Sequence, residues 1–130
     1  MGRFITELDV RVLGNRNFKL LQPLTYIDTE GNLYTVPKGT KTDFASVWKV
    51  PIASTLLAGK CNKEATLHDY FYKTGCITRK EADLIFREAI ISNEENWLFY
   101  KRKVVANVIY IFVRLFAGFA YQNRKEANEK

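Results

Sequence analysis

Apolar residues fall on alternate positions through the first third of the chain and at helical spacing through the second half. Leu8, Val10 and Val12 alternate with Glu7, Asp9 and Arg11, the period of a strand with one buried face. Gly14-Asn15-Arg16-Asn17 supplies residues that tolerate positive φ and predicts a reversal. Phe18, Leu20, Leu24 and Tyr26 share one parity and predict a second strand, which Pro23 marks as an edge strand or one carrying a bulge. Asp28-Thr29-Glu30-Gly31-Asn32 predicts a turn with its glycine in the left-handed position. Leu33-Tyr34-Thr35-Val36 predicts a short third strand, closed by Pro37.

After the turn at Pro37-Lys38-Gly39-Thr40 the alternation stops. The polar cluster Thr42-Asp43-Phe44-Ala45-Ser46 leads into an apolar stretch, Val47 to Leu57, that includes a short helix after Pro51. Asn62 is placed to cap a helix running to about Lys73 and ended by Gly75. Thr78-Arg79-Lys80-Glu81 is a capping box, and it starts a helix from Arg79 to about Ser92 with an apolar stripe at Ala82, Ile85, Phe86, Ala89 and Ile90. A last helix runs from about Glu95 or Trp97 to Tyr121. The expected fold is α+β: a small N-terminal antiparallel meander packed against three or four C-terminal helices. Residues 1–121 form a single domain and 122–130 a flexible polar tail.

Composition changes this picture little. At 130 residues and 47% hydrophobic content, the chain can bury a core without disulfides or a structural metal. The formal charge of +6 favours weak attraction to nucleic acid, anionic membrane or acidic partners. No zinc-finger spacing, aromatic RNA-binding pattern or helix-turn-helix accompanies it. The basic residues toward the C-terminal end, Lys101-Arg102-Lys103, Arg114 and Arg124-Lys125, read as a solvated helix face. Val104 to Tyr121 is apolar enough to suggest a membrane span, but Asn107 and Arg114 interrupt it and argue against one. Cys61 and Cys76, separated mostly by helix, would stand roughly 20 Å apart, too far to bridge. Reduced thiols fit a cytosolic setting. The N-terminus has no apolar run long enough for a signal peptide.

Candidate chemistry gathers around the only histidine. His68 and Tyr72 lie one turn apart on one helix face, and Asp69 points about 100° further round. An imidazole can serve as general base or metal ligand, and a carboxylate can orient it or hold a hard cation. Asp83 shares a flank with Phe86 and Ile90 and is expected to face inward. Asp43, Ser46 and Thr42 lie on a loop, where functional groups most often sit. Each residue also has a structural reading. His68 can join a core hydrogen-bond network, Asp43 and Ser46 can cap a turn, and Asp83 can favour the positive end of its helix.

Three segments in order, Pro37 to Val47 with T-D-F-A-S-V, Ala65 to Tyr72 with H-D-x-x-Y, and Glu81 to Phe86 with A-D-x-x-F, resemble the domain-of-unknown-function 1353 family of tailed phages and prophages. Tyr110, Val113-Arg114 and Gly118 extend the resemblance, and Trp48 departs from it where the pattern has proline. The resemblance implies a phage origin and a polar site around Asp43, Ser46, His68, Asp69 and Asp83, with no stated activity. The H-D-x-x-Y string is also similar to the catalytic helix of phospholipase A2, where the histidine activates water and the adjacent aspartate holds calcium. That family adds a glycine-rich calcium loop and several disulfides, which this chain does not carry. The HD-type metal phosphohydrolases need further histidines and an all-helical frame.

Two functional expectations follow. In the first, the chain is a phage accessory hydrolase of the host cytoplasm or the virion. There His68, Asp69, Asp43 and Asp83 are catalytic, and Ser46, Thr42 and Tyr72 bind substrate. His68, Asp69 and Asp43 are the residues that would hold a divalent metal. In the second, it is a non-enzymatic virion or host-interaction protein whose His/Asp cluster is a structural hydrogen-bond network.

Overall fold

Proline decides how the N-terminal strands divide. The parity shared by Phe18, Leu20, Leu24 and Tyr26 is kept, but the expected single strand is two, β3 (Asn17–Leu20) and β4 (Leu24–Ile27), in different sheets. Pro23 has no N–H to donate, so the ladder cannot continue through it. The Thr6 side chain fills the gap instead, donating from its hydroxyl to the Pro23 carbonyl at 3.2 Å and accepting from the Thr25 N–H at 2.9 Å.

The computed structural model describes residues 2–14, 17–42, 62–92 and 99–116. As expected, an N-terminal antiparallel region packs against C-terminal helices, and its described strands divide between two three-stranded sheets. One has the order β1-β4-β5, with β1 at Arg3–Phe4 and β5 at Leu33–Val36. The other has the order β2-β3-β6, with β2 at Val10–Gly14 and β6 at Lys41–Thr42. In the first sheet Tyr26 pairs with Phe4 and with Tyr34, and Leu24 with Val36. The turn between β4 and β5 forms as read. Asp28 Oδ1 accepts from the N–H groups of Glu30 and Asn32, and Gly31 adopts a φ of 88°. The β2–β3 hairpin reaches past the core, which leaves Val12 exposed where alternation predicted burial.

The helices follow their sequence signals. Helix α1 (Asn62–Thr74) ends at Gly75, whose φ of 61° lets its N–H reach the Phe71 carbonyl at 2.9 Å. Helix α2 (Arg79–Ser92) starts at the capping box: Glu81 N–H donates to the Thr78 hydroxyl, and that hydroxyl donates to the Glu81 carboxylate. Helix α3 (Phe99–Phe116) packs along α2 through Val105, Ala106, Ile109 and Val113, all buried. Among the described residues no helix is long and apolar enough to cross a membrane. The expected helix after Pro51, the two ends of the last helix and the 122–130 tail lie outside the described residues.

Leu20, Leu24, Tyr26 and Val36 of the sheets meet Leu67 and Phe71 of α1 and Phe86 and Ile90 of α2 in one core cluster. Burying each large side chain contributes about 1.5–3 kcal/mol. Glu88 locks the first sheet to α2, its Oε1 accepting from the Tyr26 hydroxyl at 2.9 Å and the Thr29 N–H at 3.1 Å. The result for the site is that α1 and α2 form an antiparallel hairpin with His68, Tyr72 and Asp83 on facing sides.

Candidate functional site

Helical spacing places each group. His68 and Tyr72 are four residues apart on α1, so both side chains lie over the same turn and face α2. Asp83 sits in the first turn and a half of α2, between the buried Ala82 and Phe86. The imidazole packs against the Phe86 ring at 4.4 Å, nearly parallel, and against the Tyr72 ring at 4.2 Å. These two aromatic neighbours fix the ring plane.

Asp83 is the hub. It is 0% exposed, and His68 is 3% exposed. Its Oδ1 lies 2.8 Å from His68 Nε2 and 2.5 Å from the Tyr72 hydroxyl, which donates to it. Its Oδ2 accepts from Arg114 Nη1 on α3 at 3.0 Å. A single carboxylate therefore joins all three described helices. Arg79, at the start of α2, extends the network: its Nε donates to the Tyr72 oxygen at 3.3 Å. Its Nη2 donates to the carbonyls of Val113 at 2.6 Å and Arg114 at 2.8 Å. Those are last-turn carbonyls of α3, where a cation is favoured by the helix dipole.

The electrostatics agree with an ionised Asp83. Burial pushes its carboxyl up, but bonds from His68, Tyr72 and Arg114 together outweigh that and hold it below the usual carboxylate range. Burial, followed by the bond to the Asp83 carboxylate, pushes the Tyr72 phenol well above its ordinary value, so it stays a neutral donor. An anionic Asp83 needs a donor from the ring. When the imidazole is neutral, its proton therefore belongs on Nε2 and its lone pair on Nδ1. Nδ1 is buried and has no hydrogen-bond partner among the described residues.

The structure joins three of the sequence-predicted residues, His68, Tyr72 and Asp83, and separates a fourth. Asp69 is buried on the adjacent face of α1, where Lys73 Nζ lies 2.9 Å from its Oδ2, a close approach of charges without aligned hydrogen-bond geometry. Thr42 is buried at the end of β6, which packs against α1. Asp43 and Ser46 lie outside the described residues. Among the described residues no three His, Cys, Asp or Glu side chains are grouped to hold a metal ion. Cys76 is exposed with a free thiol, and Cys61 lies outside the described residues.

Arg79 and Arg114 were not recognisable as members of this network. Arg114 read as a solvated charge, and the correction is physical: two thirds of its side chain is buried against a fully buried acid. The available signal was a lone arginine in an apolar helix, which requires an anion nearby.

The model of a family described as protein of unknown function (DUF1353) matches residues 18–113, a span that includes every residue of the Asp83 network except Arg114. No curated protein and no solved structure matches the chain.

Proposed function

We propose that this chain, which belongs to the family of proteins of unknown function DUF1353, is a phage-encoded hydrolase in which His68 Nδ1 takes a proton from water while Asp83 holds the ring. The observation that supports it is how the imidazole is held. Nε2 is committed to Asp83, and the buried Nδ1 is left with no partner among the described residues. A purely structural imidazole would use both nitrogens, because leaving a buried polar atom unsatisfied costs about 1–3 kcal/mol. In the step itself, Nδ1 takes the water proton, the hydroxide oxygen bonds to a carbonyl carbon or phosphorus, and the leaving oxygen takes the proton back from the imidazolium. Asp83 stabilises the transient imidazolium, and Tyr72 keeps the carboxylate oriented.

His68 and Tyr72 of the H-D-x-x-Y string converge on one acid, Asp83, so the ring is held from two sides. A divalent cation would use the same Nδ1 together with Asp69 and Asp43. In that version the cation supplies the activation of water and Asp83 still fixes the ring.

A second reading rests on a different observation. Asp83 is wholly buried and joins all three described helices, as a structural clasp in a non-enzymatic virion or host-interaction protein would. One experiment separates the two. Wild type and His68→Asn are assayed against carboxylic esters, phosphodiesters and a fluorogenic phospholipid, with and without chelator, alongside calorimetric titration of Zn²⁺, Mn²⁺ and Ca²⁺. The hydrolase reading expects turnover of one substrate class that His68→Asn abolishes while remaining folded. Absence of turnover in every condition, with His68→Asn altering stability alone, would establish the clasp.

A further inference from the structure

The sheet β2-β3-β6 carries a row of like charges. Arg11 stands opposite Lys19, and Lys19 opposite Lys41, one cation per strand and all exposed. None of the three has an ion pair among the described residues, and like charges directly opposite each other destabilise a sheet. The fold gains nothing from this row, which calls for an acid beside it. Asp9, two residues before Arg11 and so on the same face, is also exposed and without an ion pair among the described residues.

The strand that carries Arg11 is an edge of its sheet. Leu21 N–H donates to the Asp9 carbonyl at 2.8 Å, and the ladder continues from there with Arg11 opposite Lys19. Bonding alternates along an antiparallel ladder, so Asp9 and Arg11 turn their backbone groups to β3, and Val10 and Val12 turn theirs outward. Those outward groups have no partner among the described residues. Val12 is also 67% exposed, although its parity puts it on the face of the half-buried Val10.

We propose that β2 pairs with β2 of a second copy, antiparallel and centred on Val10. A twofold contact is self-complementary, and the outward backbone groups meet only in registers that set even-numbered residues opposite even-numbered ones. Centring the pair on Asp9 or on Arg11 sets that charge against itself, and centring it on Val12 sets Arg11 against Leu13. Centred on Val10, Asp9 of each copy faces Arg11 of the other, in the non-hydrogen-bonded pairing where side chains lie closer. The same register lays Leu8 of each copy beside the exposed Val12 of the other. Each row of cations then ends on a carboxylate. A nucleic acid would meet the cations but leave the outward backbone groups unbonded. An acidic strand of another protein would satisfy the charge on one side only, whereas a second copy makes the pair twice. The pairing stands whether or not His68 acts as a base.

The pairing is confined to a few residues of each strand, an interface of the weak, transient class. The test is therefore sedimentation velocity of the full chain from micromolar to millimolar concentration. Wild type is compared with Asp9→Arg, Arg11→Asp, the two combined, and Val12→Pro, each first shown by circular dichroism to be folded. Wild type is expected to show a monomer–dimer equilibrium. Either single reversal turns two opposite-charge pairs into two like-charge pairs and is expected to weaken association at least about tenfold. The combined variant exchanges the two charges and is expected to restore association to near the wild-type value. Val12→Pro removes an outward N–H and spares the bonds to β3, so it is expected to weaken the dimer as well. A wild type that stays monomeric at every concentration overturns the proposal. So does a dimer that both single reversals leave intact, which places the contact on another face. A combined variant no better than the singles also overturns it, because the register then does not pair Asp9 with Arg11.

Discussion

His68 Nε2 lies 2.8 Å from Asp83 Oδ1, so the only imidazole of the chain is held by an acid from the neighbouring helix. The same carboxylate takes Tyr72 and Arg114, and every bond it makes crosses from one helix to another. Asp83→Asn therefore leaves Arg114 without a charged acceptor and weakens three helix contacts at once. The expected loss is about 3 kcal/mol, toward the low end for a broken buried pair because Arg114 keeps a third of its side chain in water. A urea midpoint unchanged within error would contradict the hub role.

Acid should act through the same residue. The Asp83 carboxyl is held below its ordinary value in the fold, so the unfolded chain binds more protons as pH falls through the carboxylate range. Its contribution is fully present above the unfolded carboxylate pKa of about 3.9 and is lost as pH drops through the lower folded value. Urea midpoints measured from pH 6 downward should fall below about pH 4 in wild type, and less steeply in Asp83→Asn.

How far this site was legible depended on the reach of each signal. His68, Tyr72 and Asp83 could be brought together from helical spacing and the hairpin alone, because each lies within one turn of a clear cap or stripe. Arg79 could not. Its side chain spans from the start of α2 to the end of α3, a distance in sequence that no local pattern carries. The same limit explains the sheets. Parity placed Leu20, Leu24 and Tyr26 on the buried side correctly, yet only the missing N–H of Pro23 reveals that two sheets meet there.

Tyr72 passes the connection from Arg79 to Asp83. Tyr72→Phe should cost about 1.5–3 kcal/mol, the range for a bond to a charged group. In a double-mutant cycle with Arg79→Met, the double variant should be less destabilised than the sum of the singles by at least about 0.5 kcal/mol. Additive losses would mean that Arg79 acts only on the α3 carbonyls.

At the other end of α2, Gly2 lies against the Tyr26–Glu88 bond, and a Cβ there would run into the Tyr26 hydroxyl and the Glu88 carboxylate. Gly2→Ala is expected to destabilise by about 1–3 kcal/mol through overpacking. The penalty should shrink in a Tyr26→Phe background, where the hydroxyl is gone. Thermal denaturation of the four proteins checks both statements, and an equal penalty in the two backgrounds would contradict the contact.

The central claim is that Asp83 fixes the ring through Nε2 and leaves Nδ1 as its basic atom. With one histidine in 130 residues, a long-range ¹H–¹⁵N spectrum of histidine-labelled protein contains a single imidazole. Under conditions where the ring is neutral, the expected pattern is a protonated Nε2 and a pyridine-like Nδ1 that loses its preference in Asp83→Asn. A protonated Nδ1 with a bare Nε2 in the wild type would contradict it.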